Sequence, residues 1–101
     1  MKRTKNMVYN PSAEAHELML YAINDGDLYR CMICPVIENL KRKVAKGVYN
    51  AEKATDAFYH VATEASNHYF RDFGYKFSVT DRYTVACEMV DYYNEEVFYN
   101  C

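Results

Sequence analysis

Three glycines and two prolines are the only strong breakers in a chain of 101 residues, and that scarcity argues against any fold made of many short strands. A sandwich or barrel needs frequent turns, and turns draw on glycine and proline. Apolar residues recur instead at three- and four-residue spacing, the period of one helix face. The predicted class is all-α, a compact bundle of four helices. The length fits one domain with one core. Residues 1–9 read as a flexible N-terminal tail and residues 10–101 as a single helical domain. Half of the residues are apolar, so the chain lacks the composition of a disordered segment and is expected to fold without a cofactor.

The first helix is predicted to start at Asn10-Pro11-Ser12, where a polar side chain caps free amides and Pro11 fits the first turn. Ala15, Leu18, Met19, Ala22 and Ile23 form its apolar row, and Asn24-Asp25-Gly26-Asp27 ends it. A second helix runs from Leu28 to about Lys46 with Met32, Ile33, Val36, Ile37, Leu40 and Val44 inward, and Gly47 stops it. Pro35 lies inside this pattern, so a kink or split is expected near Cys34. Asn50 caps a third helix, Ala51 to about Phe73, whose row is Ala54, Phe58, Val61, Ala62, Ala65 and Tyr69. Its alanines allow close approach of a neighbour, which predicts a central position. Tyr75-Lys76-Phe77-Ser78-Val79 reads as an extended linker. Thr80 is then expected to cap a fourth helix that carries Val85, Ala86, Met89, Val90, Tyr93 and Val97 inward and ends near Tyr99.

No apolar run approaches the roughly 20 residues of a membrane span. The segment Met1-Lys2-Arg3-Thr4-Lys5-Asn6 is not followed by a signal-peptide core. The expectation is a cytoplasmic protein, not bound to membrane, with Cys31, Cys34, Cys87 and Cys101 reduced. The formal charge is only -2, yet residues 1–46 carry eight Lys/Arg against five Asp/Glu, and residues 47–101 carry four against nine. That polarity speaks against simple coating of nucleic acid and for a protein partner.

Four clusters can carry chemistry. Cys31-Met32-Ile33-Cys34 has the spacing of a redox pair or half a zinc site, but helical pattern on both sides favours buried thiols packing as small hydrophobes. His60, Glu64 and His68 follow one another along the third helix and can serve a metal or acid–base role, although one helix cannot close a coordination sphere. No metal and no catalytic residue is therefore expected. Lys41, Arg42, Lys43 and Lys46 can grip phosphates, yet cations in the last turns of a helix also complement its negative end. Direct nucleic-acid binding is accordingly disfavoured. On the fourth helix Glu88, Asp91 and Glu95 form an acidic stripe, with Tyr92, Phe98 and Tyr99 beside it. Eleven tyrosines exceed what one core absorbs. Tyr59, Tyr69 and Tyr93 are assigned inward, and the surplus suits an interface.

Asp25-Gly26-Asp27-Leu28-Tyr29, Lys46-Gly47-Val48-Tyr49-Asn50 and Phe77-Ser78-Val79-Thr80-Asp81-Arg82 resemble signatures of small uncharacterised helical proteins encoded by phages and mobile elements of gut bacteria. The likeness spans most of the chain. It implies an accessory protein, with inhibitors of host defence of the anti-CRISPR type among the functions that such proteins have. The expected function is a non-enzymatic interaction module that binds a basic surface of a host nucleic-acid-processing protein through Glu88, Asp91, Tyr92, Glu95 and Tyr99. The alternatives are a nucleic-acid-binding accessory protein using Lys41 to Lys46, or a small metal-dependent enzyme using His60, Glu64 and His68. A homodimer is compatible with each, as a way of covering apolar surface that one small bundle leaves exposed.

Overall fold

The longest element is bounded by two residues whose chemistry sets its ends. Asn50 is extended and its side-chain oxygen accepts from the Lys53 amide at 3.0 Å, while Gly74 takes the left-handed conformation at φ 75° that side chains disfavour. Between them lies α4, Ala51–Phe73, 23 residues and about 35 Å long at 1.5 Å per residue. The computed structural model describes residues 13–98. The predicted tail, the Asn10-Pro11-Ser12 cap, Tyr99 and Cys101 lie outside the described residues.

All regular structure in the described residues is helical, without a strand. The elements are α1 (Ala13–Asn24), α2 (Gly26–Leu28), a π-helical turn (Tyr29–Ile33), α3 (Cys34–Ala45), α4 (Ala51–Phe73), α5 (Val79–Tyr92) and α6 (Asn94–Phe98). The α4–α5 pair is antiparallel, because Phe77 meets Tyr69 at 4.9 Å between ring centroids while Tyr93 stacks on Phe58 at 5.9 Å. α1 packs against both, and α6 lies on α3. The Cα radius of gyration, 13.5 Å, is that of a compact chain of about 100 residues.

The predicted apolar rows form the core. Ala15, Leu18, Met19 and Ala22 of α1, Ile33, Ile37 and Leu40 around α3, Ala54, Phe58, Val61, Ala62 and Ala65 of α4, and Val85, Ala86 and Met89 of α5 are all buried. Ile23, Met32, Val36, Val44, Tyr59, Tyr69 and Val90 are half-buried against them. α4 touches α1, α3 and α5, the central position that its alanines permit.

Three local expectations are corrected and a fourth, at Pro35, is given its form. The second helical stretch starts at Gly26 rather than Leu28, because the Asp25 carboxylate accepts from the amides of Asp27 and Leu28 at 2.9 and 3.0 Å. The irregularity expected near Cys34 takes the form of a π-helical turn just before Pro35. The turn before it widens, so that the Cys34 amide reaches the Tyr29 carbonyl, five residues back, and Pro35 then occupies the first turn of α3, where its missing N–H costs nothing. α5 is capped by Ser78, not Thr80. Phe77 beside it is buried, and the hydroxyl oxygen of the extended Ser78 accepts from the Asp81 amide at 3.0 Å. Finally, the predicted fourth helix divides at Tyr93, whose backbone (φ -99°, ψ 11°) turns the chain so that Val97 enters the core and α6 lies on α3.

The end of α3 behaves as predicted. At the close of α3, Gly47 at φ 76° lets its own amide reach Val44 O at 3.0 Å and the Val48 amide reach Lys43 O at 2.9 Å. This pair of bonds satisfies carbonyls that the helix end leaves open. Arg82 holds the connection between α4 and α5 in place. Its Nη1 donates to the Phe77 carbonyl at 2.7 Å and its Nη2 to the Tyr59 hydroxyl at 3.2 Å, with the guanidinium 5.7 Å from the Tyr59 ring centroid.

Candidate functional site

The turn at Tyr93 decides what becomes of the acidic stripe. Glu88 and Asp91 stay on α5 while Glu95 belongs to α6, so the three do not share one continuous helix face. Asp91 and Glu95 are exposed, but Glu88 is half-buried with one carboxylate oxygen shielded from water. Tyr92 is 60% exposed and Phe98 is 37% exposed, whereas Tyr93, one residue on, is buried against Phe58. Burial first, then the charges around it, pushes the Tyr93 phenol well above its ordinary value.

Helix packing adds residues to this face that the sequence pattern did not single out. Tyr83 of α5 is 54% exposed and lies beside Glu52 and Asp56 of α4, lining with them an open depression of about 320 Å³. The Cys87 thiol first, then lost hydration and the carboxylates of Asp56 and Glu52, push the Tyr83 phenol upward. Tyr49, in the connection before α4, meets Phe98 edge to face at 4.8 Å. Its phenol is raised by burial and then by the nearby charge of Asp91. Carboxylates of α4 and α5 therefore lie beside tyrosines from two segments, Tyr49 before α4 and Tyr83 of α5. Glu52 and Asp56 are four residues apart on one helix, a visible pattern, but their nearness to Tyr83 depends on the antiparallel pairing of α4 and α5.

The other candidate clusters fall as follows. Lys41, Arg42, Lys43 and Lys46 occupy the closing turns of α3 and its cap, Arg42 and Lys46 exposed and Lys41 and Lys43 half-buried. There they face the negative end of the helix. His60 is exposed while Glu64 and His68 are half-buried. Among the described residues no group of three or more His, Cys, Asp or Glu side chains is arranged to hold a metal ion. The thiols of Cys31, Cys34 and Cys87 are free. The expectation that the first pair packs as buried hydrophobes is corrected, because the widened turn carries Ile33 inward and leaves Cys31 exposed and Cys34 half-buried. Burial, before any neighbouring charge, raises the Cys87 thiol and keeps it protonated.

An all-helical scaffold with an acidic, tyrosine-bearing face is the class that these features define. The chain matches no family model, no curated protein and no solved structure.

Proposed function

We propose that this chain is a non-enzymatic interaction module whose acidic face binds a basic surface on another protein. The reading rests on the exposed carboxylates Glu52, Asp56, Asp91 and Glu95 together with Tyr83 and Tyr92, both more than half exposed. Tyrosines of this kind give an interface rigid area and a hydrogen bond at low entropic cost. Carboxylates among them steer a basic partner and fix its orientation. A basic groove that holds nucleic acid meets phosphates with lysines and arginines, and clustered carboxylates compete for the same cations. The concrete form of the proposal is an inhibitor of a host nucleic-acid-processing protein, encoded by a phage and acting in the cytoplasm. The anti-CRISPR type is suggested by the resemblance of the 25–29, 46–50 and 77–82 segments.

The scaffold in this proposal is a four-helix bundle in which residues 26–45 count as one bent helix and residues 79–98 as another. The observation that carries the functional reading is the juxtaposition of Tyr83 with Glu52 and Asp56 across two helices. The experiment is capture from a bacterial lysate on the immobilised chain, with elution by rising salt and mass spectrometry of the eluate. A basic nucleic-acid-processing protein that leaves as salt rises supports the proposal, because screening shortens the reach of the charges. Captured proteins that are acidic, or that salt does not release, contradict it.

A further inference from the structure

The widened turn at Tyr29–Ile33 keeps both thiols of the Cys31-Met32-Ile33-Cys34 segment out of the core. Cys31 lies within the turn and is exposed, Cys34 follows it and is half-buried, and both thiols are free. Ile33 between them takes the inward position and is fully buried. A pair of cysteines three residues apart, one open to water and the other partly so, is the arrangement of an attacking thiol beside a resolving one. Cys87, half-buried on α5 and raised by burial, has no cysteine at that spacing.

Residues three apart on a regular helix hold their Cβ atoms about 5–6 Å from one another, and a disulfide needs about 3.5–4.5 Å. Joining Cys31 to Cys34 therefore asks for a local approach of about 1–2 Å. The backbone between them is the part of this helix best able to give. Pro35 has no amide to bond the Cys31 carbonyl four residues before it, and the Cys34 amide reaches the Tyr29 carbonyl, five residues back. The regular ladder is thus interrupted on both sides of the pair. A disulfide closed against helical geometry is strained and readily reduced, the property of a reversible site rather than of a structural bridge.

We propose that Cys31 and Cys34 form a reversible thiol–disulfide site that reacts with small disulfides of the glutathione type. Cys31, as the thiolate, attacks one sulfur of the reagent. A mixed disulfide forms, and the expelled thiolate takes up the proton that Cys31 released. The Cys34 thiolate then attacks the Cys31 sulfur, closes the internal bond and expels the second thiolate, which takes up the proton from Cys34. The two electrons lost by the protein sulfurs reduce the reagent, so one small disulfide leaves as two thiols. The site does not depend on the acidic face.

The test equilibrates the intact protein with mixtures of oxidised and reduced glutathione, quenches in acid, alkylates the remaining thiols and cleaves after lysine and arginine. One peptide, residues 31–41, then carries both cysteines. As the oxidised share rises, this peptide should lose both alkylation sites and become two hydrogens lighter, while Cys87 stays alkylated and the helical circular dichroism persists. Excess dithiothreitol should restore both thiols. Cys34→Ser should trap glutathione on Cys31 as a lasting adduct, and Cys31→Ser should leave Cys34 unreacted over the time in which the wild type closes. A 31–41 peptide that takes two alkyl groups in every mixture overturns the proposal. So does a glutathione adduct that persists on wild-type Cys31, or an internal bond that forms only once the helical spectrum is lost.

Discussion

The Tyr21 hydroxyl donates to Asp72 Oδ2 at 2.9 Å and joins the end of α1 to the end of α4, 51 positions apart in the chain. The two residues sit beside an aromatic cluster in which Tyr21 meets Tyr69 at 5.1 Å and Phe73 at 6.4 Å, edge to face in both cases. Tyr69 in turn reaches Glu17 of α1 with its hydroxyl at 3.4 Å. The α1–α4 contact is thus closed at its rim by phenol–carboxylate bonds, with rings packed behind them.

This relationship sets a pH dependence. Burial first, then the hydrogen bond and the charge of Asp72, pushes the Tyr21 phenol up to about 12 from 10.0. A folded-state value above the unfolded one means that the stabilisation is complete below pH 10 and is lost as pH rises towards about 12. Denaturant midpoints measured across that window should fall with rising pH. Tyr21→Phe should cost about 1 kcal/mol near neutrality and flatten the decline, leaving the part that Tyr69 and Tyr93, also raised, contribute. An unchanged alkaline profile in the variant would show that the Asp72 bond does not form.

Phe58 anchors the centre of the core. It is 1% exposed and its ring stacks on Tyr93 with an interplanar angle of 12°. Phe58→Ala should destabilise by about 3–5 kcal/mol through lost burial and the cavity left behind. A loss below about 1 kcal/mol in equilibrium urea unfolding would mean that the site collapses freely, against the close packing of α4 with α5.

The cap of α5 gives a paired prediction. Ser78→Ala removes the acceptor of the Asp81 amide and should cost about 1 kcal/mol. Thr80, exposed and already inside α5, should tolerate alanine within about 0.5 kcal/mol. The reverse ranking in thermal melts would restore Thr80 as the cap.

The same residues mark how far the sequence is legible. Apolar periodicity identified the inward rows of α1, α3, α4 and α5, because burial of a face is written directly in residue spacing. Asn50 and Gly47 were equally readable, since each acts through its own side chain or lack of one. Ser78 against Thr80 was not. Both are good caps, and the burial of Phe77 chose between them. Pro35 signalled an irregularity, but its form as a widened turn at Tyr29–Ile33 depends on which residues must face the core afterwards. The turn at Tyr93 carried no glycine or proline to announce it, and it separated Glu95 from Glu88 and Asp91. The depression at Glu52, Asp56 and Tyr83 arises between elements, where one-dimensional spacing holds no information.

The central claim is that carboxylates on the α4–α6 face recruit a basic partner. The most direct measurement compares capture by the wild type with capture by a variant carrying Asp56→Lys, Asp91→Lys and Glu95→Lys, three exposed positions. Glu88 is left intact because it is half-buried. Exposed charges contribute only about 0–1 kcal/mol each to stability, so helical circular dichroism and melting should stay close to wild type. Lys41→Glu with Arg42→Glu and Lys43→Glu serves as the control. The account predicts that the acidic reversal abolishes retention of the salt-sensitive partner and that the basic reversal spares it. Retention that survives the acidic reversal and disappears in the control would contradict it.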